Sequence, residues 1–186
     1  MAIRRNVRFK AEDIWDTPDD GNRYEVIDGA LFMTPPPGWG HQRGLGRLYI
    51  RVGNHVYAHG LGEVVQAPIG VVLDDENGVE PDLVFVAKER MHIVAERGVF
   101  GAPDLVAEVL SPRTRSRDLG IKKRRYAAAG IPHYWVLDPR PHTLTAFRLG
   151  TGGYEEAGRF APGDIFRPLL FPASKSPPLT SGHDLP

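Results

Sequence analysis

No cysteine occurs among the 186 residues, which excludes disulfide frameworks, Cys-ligated zinc and thiol nucleophiles. Long hydrophobic runs are missing as well. The most apolar stretches, Asp82 to Ala87 and Leu105 to Leu110, fall far short of the ~18 residues a membrane span needs. The basic N-terminus, Met1 to Lys10, has no apolar segment of the kind a secretory leader carries. These absences point to a soluble, cytoplasmic protein with no membrane partner. Nor is there an excess of either charge, since 23 Lys+Arg face 23 Asp+Glu. A chain that coats nucleic acid by bulk electrostatics needs surplus cations, and this one has none. With 41% hydrophobic residues, the length suits one ordinary globular domain.

What is present is patterned. Arg23 to Met33 reads as a β-hairpin, because Asp28-Gly29 suits a type I′ turn and β-formers flank it. Pro35 to Pro37 end the second strand. From about His41 to His59, Leu45, Leu48, Tyr49, Val52 and Val56 recur at helical spacing, and Gly60 stops the stripe. Short strands are expected at Glu63 to Gln66, Ile69 to Leu73 and Leu83 to Ala87, with a short helix within Lys88 to Glu96. Asp104 to Leu110 is apolar on both faces apart from its carboxylates, as in a central strand covered from two sides. A helix from about Ser116 to Ala129 closes at Gly130, and Tyr134 to Asp138 is another apolar strand. Thr143 to Leu149 and Gly153 to Glu156 pair through Gly150 to Gly153. The expected fold is α/β (α+β): one mixed central sheet flanked by helices, in a single domain over residues 1–171. Residues 172–186, rich in Pro, Ser and Gly, read as a loose tail.

Two features carry chemistry. Glu108 lies in the middle of a strand that should be buried, where a carboxylate costs several kcal/mol unless something compensates it. Asp82 opens another buried strand, and adjacent central strands would bring the two carboxylates together. Like charges so placed repel unless a cation lies between them. Oxygen donors without cysteine favour Mg²⁺ or Mn²⁺ over zinc. Directly after Glu108 the chain enters a basic run, Arg113, Arg115, Arg117, Lys122, Lys123, Arg124 and Arg125, opposed only by Asp118. Cations there suit phosphate binding, and paired metal-binding carboxylates beside them suit phosphodiester hydrolysis.

Val79-Glu-Pro-Asp-Leu-Val-Phe-Val86, Ala102-Pro-Asp-Leu-Val-Ala-Glu-Val-Leu-Ser-Pro112 and Arg117 to Pro139, taken as an ordered set, resemble the Uma family of putative restriction endonucleases, of the PD-(D/E)XK nuclease superfamily. The resemblance runs from about Tyr24 to about Gly163. It implies a restriction-endonuclease-like fold, with Asp82 and Glu108 as catalytic, metal-binding carboxylates for Mg²⁺ (or Mn²⁺). The superfamily's lysine would stand two residues after the glutamate, but Leu110 occupies that place. Lys122, four residues after Asp118, matches a helix lysine of the family and would reach the site from the helix, with Lys123 as its substitute. Glu25, in the early Tyr-Glu motif, and His41 are further site candidates. The implied activity is metal-dependent endonucleolytic cleavage of nucleic acid, DNA foremost, with Arg113, Arg115, Arg117 and Lys123 positioning the backbone. Cutting both strands would take a homodimer with two sites.

Each residue also has a structural reading. Asp82 can cap a strand start, Glu108 can pair with Arg124 or Lys122, and Lys122 can pair with Asp118 at i, i+4. Two other functions stay open: a non-catalytic module that binds nucleic acid or protein on a nuclease scaffold, and a phosphohydrolase acting on a small phosphate ester. Other signals carry less. His55 and His59 have ligand spacing, but Val56 stands where a zincin needs glutamate. Gly44-Leu-Gly46 lacks the rest of a nucleotide-binding loop. Tyr134 and Trp135 read as core residues, and Asp104 as a strand start.

Overall fold

A computed structural model describes residues 7–166, Leu170 and Leu179–Thr180. The opening hairpin forms as the sequence predicts: β1 (Arg23–Ile27) pairs with β2 (Ala30–Thr34). Asp28 and Gly29 have φ of 55° and 71°, the paired left-handed conformations that a type I′ turn requires. Gly38 precedes α1 (Trp39–Ala58), whose buried stripe is Leu45, Leu48, Val52 and Val56. Gly60, at φ 60°, lets the chain leave the helix.

The remaining strands are β3 (Gly62–Gln66), β4 (Val71–Asp74), β5 (Asn77–Val79), β6 (Leu83–Ala87), β7 (Val94–Ala95), β8 (Gly98–Phe100), β9 (Leu105–Val109), β10 (His133–Asp138), β11 (Thr143–Gly150), β12 (Gly153–Phe160), β13 (Ile165–Phe166) and β14 (Leu179–Thr180). They do not form the single sheet expected. Two six-stranded mixed sheets arise, ordered β2-β1-β5-β4-β8-β7 and β12-β11-β10-β9-β6-β3. Strands of two or three residues, such as β5, β7 and β8, are too short to show an alternating pattern, so the extra sheet is invisible in hydropathy. The expected helix after Lys88 is a 3₁₀ segment, Lys88–Ile93. The expectation of a loose tail falls mostly outside the described residues. Within that stretch, β14 pairs with β13.

The second sheet is covered on both faces. Leu83, Phe85, Leu105, Ala107, Val109, Trp135 and Leu137 pack with the apolar stripe of α1. On the opposite face Val84, Val86, Val106, Leu110 and Val136 meet Tyr126, Ile131 and residues of the first sheet. Double coverage explains why β6, β9 and β10 are almost wholly apolar, and it makes any carboxylate on them costly.

The helix after β9 has three parts: α2 (Arg115–Arg117), a π-helical turn (Asp118–Lys122) and α3 (Lys123–Ala128). A π turn inserts one residue into the helical repeat and is frequent at functional sites. Here it carries Asp118 and Lys122, both buried. No helix among the described residues is long and apolar enough to cross a membrane.

Candidate active site

In the antiparallel pair β6–β9, Leu83 faces Ala107. One step further along that register, Asp82 and Glu108 stand opposite each other on the same sheet face. Each is 1% exposed. The parallel neighbour β10 places Val136 against Glu108, so the carboxylate is flanked by apolar strand on that side.

Four elements deliver partners to this pair. From β1, Arg23 Nη1 donates to Asp82 Oδ1 at 2.5 Å. From α1, His41 Nε2 lies 3.0 Å from Asp82 Oδ2, which also accepts the Val109 N–H at 2.7 Å. From the π turn, Lys122 Nζ lies 2.5 Å from Glu108 Oε1 and 2.6 Å from Glu25 Oε1. From α3, the Tyr126 hydroxyl donates to Glu108 Oε1 at 2.6 Å. Glu25 Oε1 accepts the Glu80 N–H at 3.0 Å. Its Oε2 makes no hydrogen bond, although the Arg117 guanidinium lies 3.3 Å away.

The structure therefore brings Glu25, His41, Asp82, Glu108 and Lys122 into one buried cluster. Leu110, at the expected lysine position, packs in the core, and Lys122 puts an ammonium beside Glu108 from the helix instead. The alternative of a solvated Lys122 paired only with Asp118 does not describe this geometry. The other basic residues are scattered. Arg115 pairs with Asp138, Arg117 donates to Thr34 Oγ1 at 2.5 Å, and Arg125 pairs with Asp28. Lys123 is not brought to the site, because its ammonium sits 3.5 Å from the centre of the Phe147 ring. Arg113 remains at the site's edge, exposed, and holds no carboxylate among the described residues. A run of cations along a helix points in all directions around its axis, so the local charge of the sequence does not become one basic patch.

Arg23 and Tyr126 belong to the cluster and escaped the sequence reading. Spacing could have found both. Arg23 is two residues before Glu25 on one strand, hence on the same face, and Tyr126 is four residues after Lys122 on one helix.

Electrostatics divide the two central carboxylates. Burial works against ionisation of Asp82, but the His41 contact, the Arg23 charge and the Val109 N–H outweigh it and hold the group down to about 2. Burial also dominates at Glu108. Lys122 counters it only in part, Asp118, Asp82 and Glu25 add repulsion, and the group is pushed up to about 8. Burial opposes the charge on Lys122 too, yet Glu108, Glu25 and Asp118 hold its pKa above the usual ammonium value. Four buried carboxylates, Glu25, Asp82, Glu108 and Asp118, thus face three cations, Arg23, Arg117 and Lys122. With all four ionised the cluster would be one positive charge short, and Glu108 is the group that keeps its proton near neutral pH.

Among the described residues, no group of three or more His, Asp or Glu is set out to hold a metal ion. The donor chemistry still suits a hard divalent cation: carboxylate oxygens, no thiol, a deficit of positive charge and a buried Glu25 oxygen without a hydrogen bond. Beside Asp82 opens a pocket of about 240 Å³, with Arg23, Thr34, His41, Ser111, Arg113 and Thr114 among its walls.

Comparison with known proteins agrees with this architecture. The family Uma2, described as "Putative restriction endonuclease", matches residues 11–179. No curated protein matches the chain. Among solved structures, a putative nuclease belonging to DUF820 from Anabaena variabilis superposes with a TM-score of 0.75 at 16% identity, covering 95% of this chain and 97% of that one. At that identity the likeness shows the fold, which is restriction-endonuclease-like.

Proposed function

Because the chain belongs to the Uma2 family of putative restriction endonucleases, we propose that it is a metal-dependent endonuclease acting on DNA, with Asp82, Glu108, Lys122 and Glu25 as its catalytic residues. The observation that carries this reading is the facing pair Asp82 and Glu108, buried on adjacent strands with one positive charge too few for both to ionise alongside their neighbours. A divalent cation, Mg²⁺ or Mn²⁺, held by these two carboxylates would supply polarisation of the phosphoryl group and activation of water. Its charge would take over the neutralising role that Arg23 and Lys122 fill in this structure.

The chain's own residues do the rest. Lys122, kept charged by Glu108 and Glu25, is placed to stabilise negative charge that builds up on the phosphoryl oxygens. Glu25 holds that lysine in position through its 2.6 Å contact. His41 orients Asp82 from the pocket side. Arg113, exposed at the pocket edge, offers a fork for a backbone phosphate. Arg115 and Arg117 are committed to Asp138, Glu25 and Thr34 and act on substrate only if they exchange those partners.

The test is nicking of supercoiled plasmid with Mn²⁺, Mg²⁺ or EDTA. Asp82→Ala and Glu108→Ala should each lower the metal-dependent rate by more than about 100-fold, beyond the cost of disturbing the outer shell of a metal site. Circular dichroism checks that both remain folded. Cleavage retained by both folded variants overturns the assignment. A second reading has one observation in its favour: every oxygen of Asp82 and the bonded oxygen of Glu108 already have protein partners. That suits a binding module in which the network is purely structural, and it predicts a folded protein that neither binds metal nor cuts any polymer.

A further inference from the structure

The pocket beside Asp82 has features that the hydrolytic residues do not use. Its rim is the turn Pro35-Pro36-Pro37-Gly38, which leads straight into α1. Gly38 caps that helix without a side-chain hydrogen bond, so the first N–H groups of a 20-residue helix open there without intrahelical acceptors. His41, 8% exposed and part of the pocket wall, has a buried Nδ1 with no hydrogen-bond partner; with Nε2 donating to Asp82, Nδ1 donates to an anion in the imidazolium form only. Arg113 and the hydroxyl pair Ser111 and Thr114, 3.0 Å apart, form the facing wall. Donors of this kind recognise an anion.

Next to these donors stands an unexplained aromatic. Trp39, the first residue of α1, is 85% exposed, the largest exposure of any large hydrophobic side chain described. It lies between the lining residues Gly38 and His41 in sequence, and helical side chains lean toward the N-terminus, here toward the proline turn. Gly38 and Gly40 on either side have nothing within 4 Å of where a Cβ would be, so neither neighbour in the chain adds a side chain beside Trp39. The other two tryptophans are accounted for. Trp135 is buried against Phe166 and Trp15 packs with Phe100 and Arg97.

We infer that this pocket and Trp39 form a subsite for one unstacked nucleotide, its phosphate held between Arg113, the Ser111–Thr114 turn and the start of α1, its base stacked on the Trp39 indole. The inference rests on the nuclease reading of the same site and narrows it: the preferred substrate has an unpaired base beside the scissile phosphate. A base inside a duplex already has both faces covered and gains nothing from an exposed indole, whereas a single strand offers a free face.

The experiment measures anisotropy of fluorescein-labelled dT10 and of a labelled ten-base-pair hairpin closed by a polyethylene glycol linker, which leaves no unpaired base, in EDTA, where no cleavage occurs, with plasmid nicking in Mn²⁺ run on the same preparations. Wild type should bind dT10 more tightly than the hairpin. Trp39→Ala should weaken dT10 binding about 5- to 150-fold, the range found for removing one stacking aromatic, and leave hairpin binding unchanged. Trp39→Phe should restore most of the loss. Arg113→Ala should weaken both probes and flatten the salt dependence by about one ion. If Trp39→Ala binds dT10 like wild type while wild type nicks plasmid, the subsite is wrong and the nuclease reading stands. If dT10 binding depends on Trp39 but no polymer is cut, the subsite stands and the nuclease reading falls. A wild type that neither binds dT10 nor cuts overturns both.

Discussion

Asp82 and Glu108 face each other across two strands, are equally buried, and yet occupy opposite electrostatic states. Asp82 is at the pocket side, where a guanidinium, an imidazole and a backbone N–H converge on its two oxygens, and it stays ionised far into the acid range. Glu108 is at the closed side, where its one cation, Lys122, is shared with Glu25 and its other donor is a neutral phenol. Burial costs both groups alike. The number of donors given to each decides whether the charge survives. A carboxylate ionised in advance beside one held back by lack of positive charge is a pair that a divalent cation would complete.

The largest way to break the contrast is to remove the shared cation. Lys122→Met leaves Glu25 and Glu108 buried without their ammonium, and the protein should lose about 3–5 kcal/mol, the cost of breaking a buried pair from one side. Urea unfolding measures it, and a loss under about 1 kcal/mol would mean that the cluster relaxes or takes up water. Cleavage should vanish in the same variant.

A pH series sharpens the contrast without breaking it. Glu108 titrates near 8 in the folded chain against a reference value of 4.5, so the fold binds the extra proton between those values and metal-free protein loses stability as pH rises through that window. Asp82 has the opposite sign. Its value of about 2 lies below its reference of 3.8, so its contribution is present above 3.8 and is lost as pH falls toward 2. Denaturation in chelator from pH 3 to pH 9 should therefore show greatest stability near pH 4 to 5. Glu108→Gln should abolish the decline on the alkaline side and leave the acid limb in place. An unchanged alkaline limb would assign that decline to another group.

The smallest effect separates buried from exposed partners. Tyr126→Phe removes one donor from Glu108 and should cost about 1–2 kcal/mol, while Arg115→Ala, which breaks a pair whose arginine is half exposed, should cost well under about 1 kcal/mol. Equal effects in thermal unfolding would show that the Tyr126 hydroxyl gives Glu108 nothing that water does not.

Much of this site was legible in the residues. A glutamate inside Leu105 to Leu110 and an aspartate before Leu83 to Ala87 were conspicuous because apolar strands seldom carry carboxylates, and the family motifs gave their order. The helix lysine was legible through the same motifs, with Leu110 as the warning that the usual strand lysine was missing. Arg23 lies outside the family motifs, and only its place on the Glu25 face of β1 marks it. Trp39 precedes the periodic stripe of α1 and takes no part in it, so no spacing singles it out. The second sheet was missed because β5, β7 and β8 are short and their pairing is not local. Lys123, the substitute for Lys122, lies one residue further along a helix that turns by about 100° per residue, and its ammonium is carried to Phe147.

By itself the sequence determined the hairpin turn at Asp28-Gly29, the buried face of α1, the apolar central strands and the two carboxylates that interrupt them, since these follow from local conformational preference and from the spacing of apolar residues. Only the tertiary structure decided which charges meet. The β6–β9 register sets Asp82 opposite Glu108, the π turn swings Lys122 inward, and the arrival of β1 and α1 from distant parts of the chain gives Asp82 its arginine and histidine. Such contacts are long-range and low-dielectric, so their strength depends on ångström-scale placement that no local pattern of residues encodes.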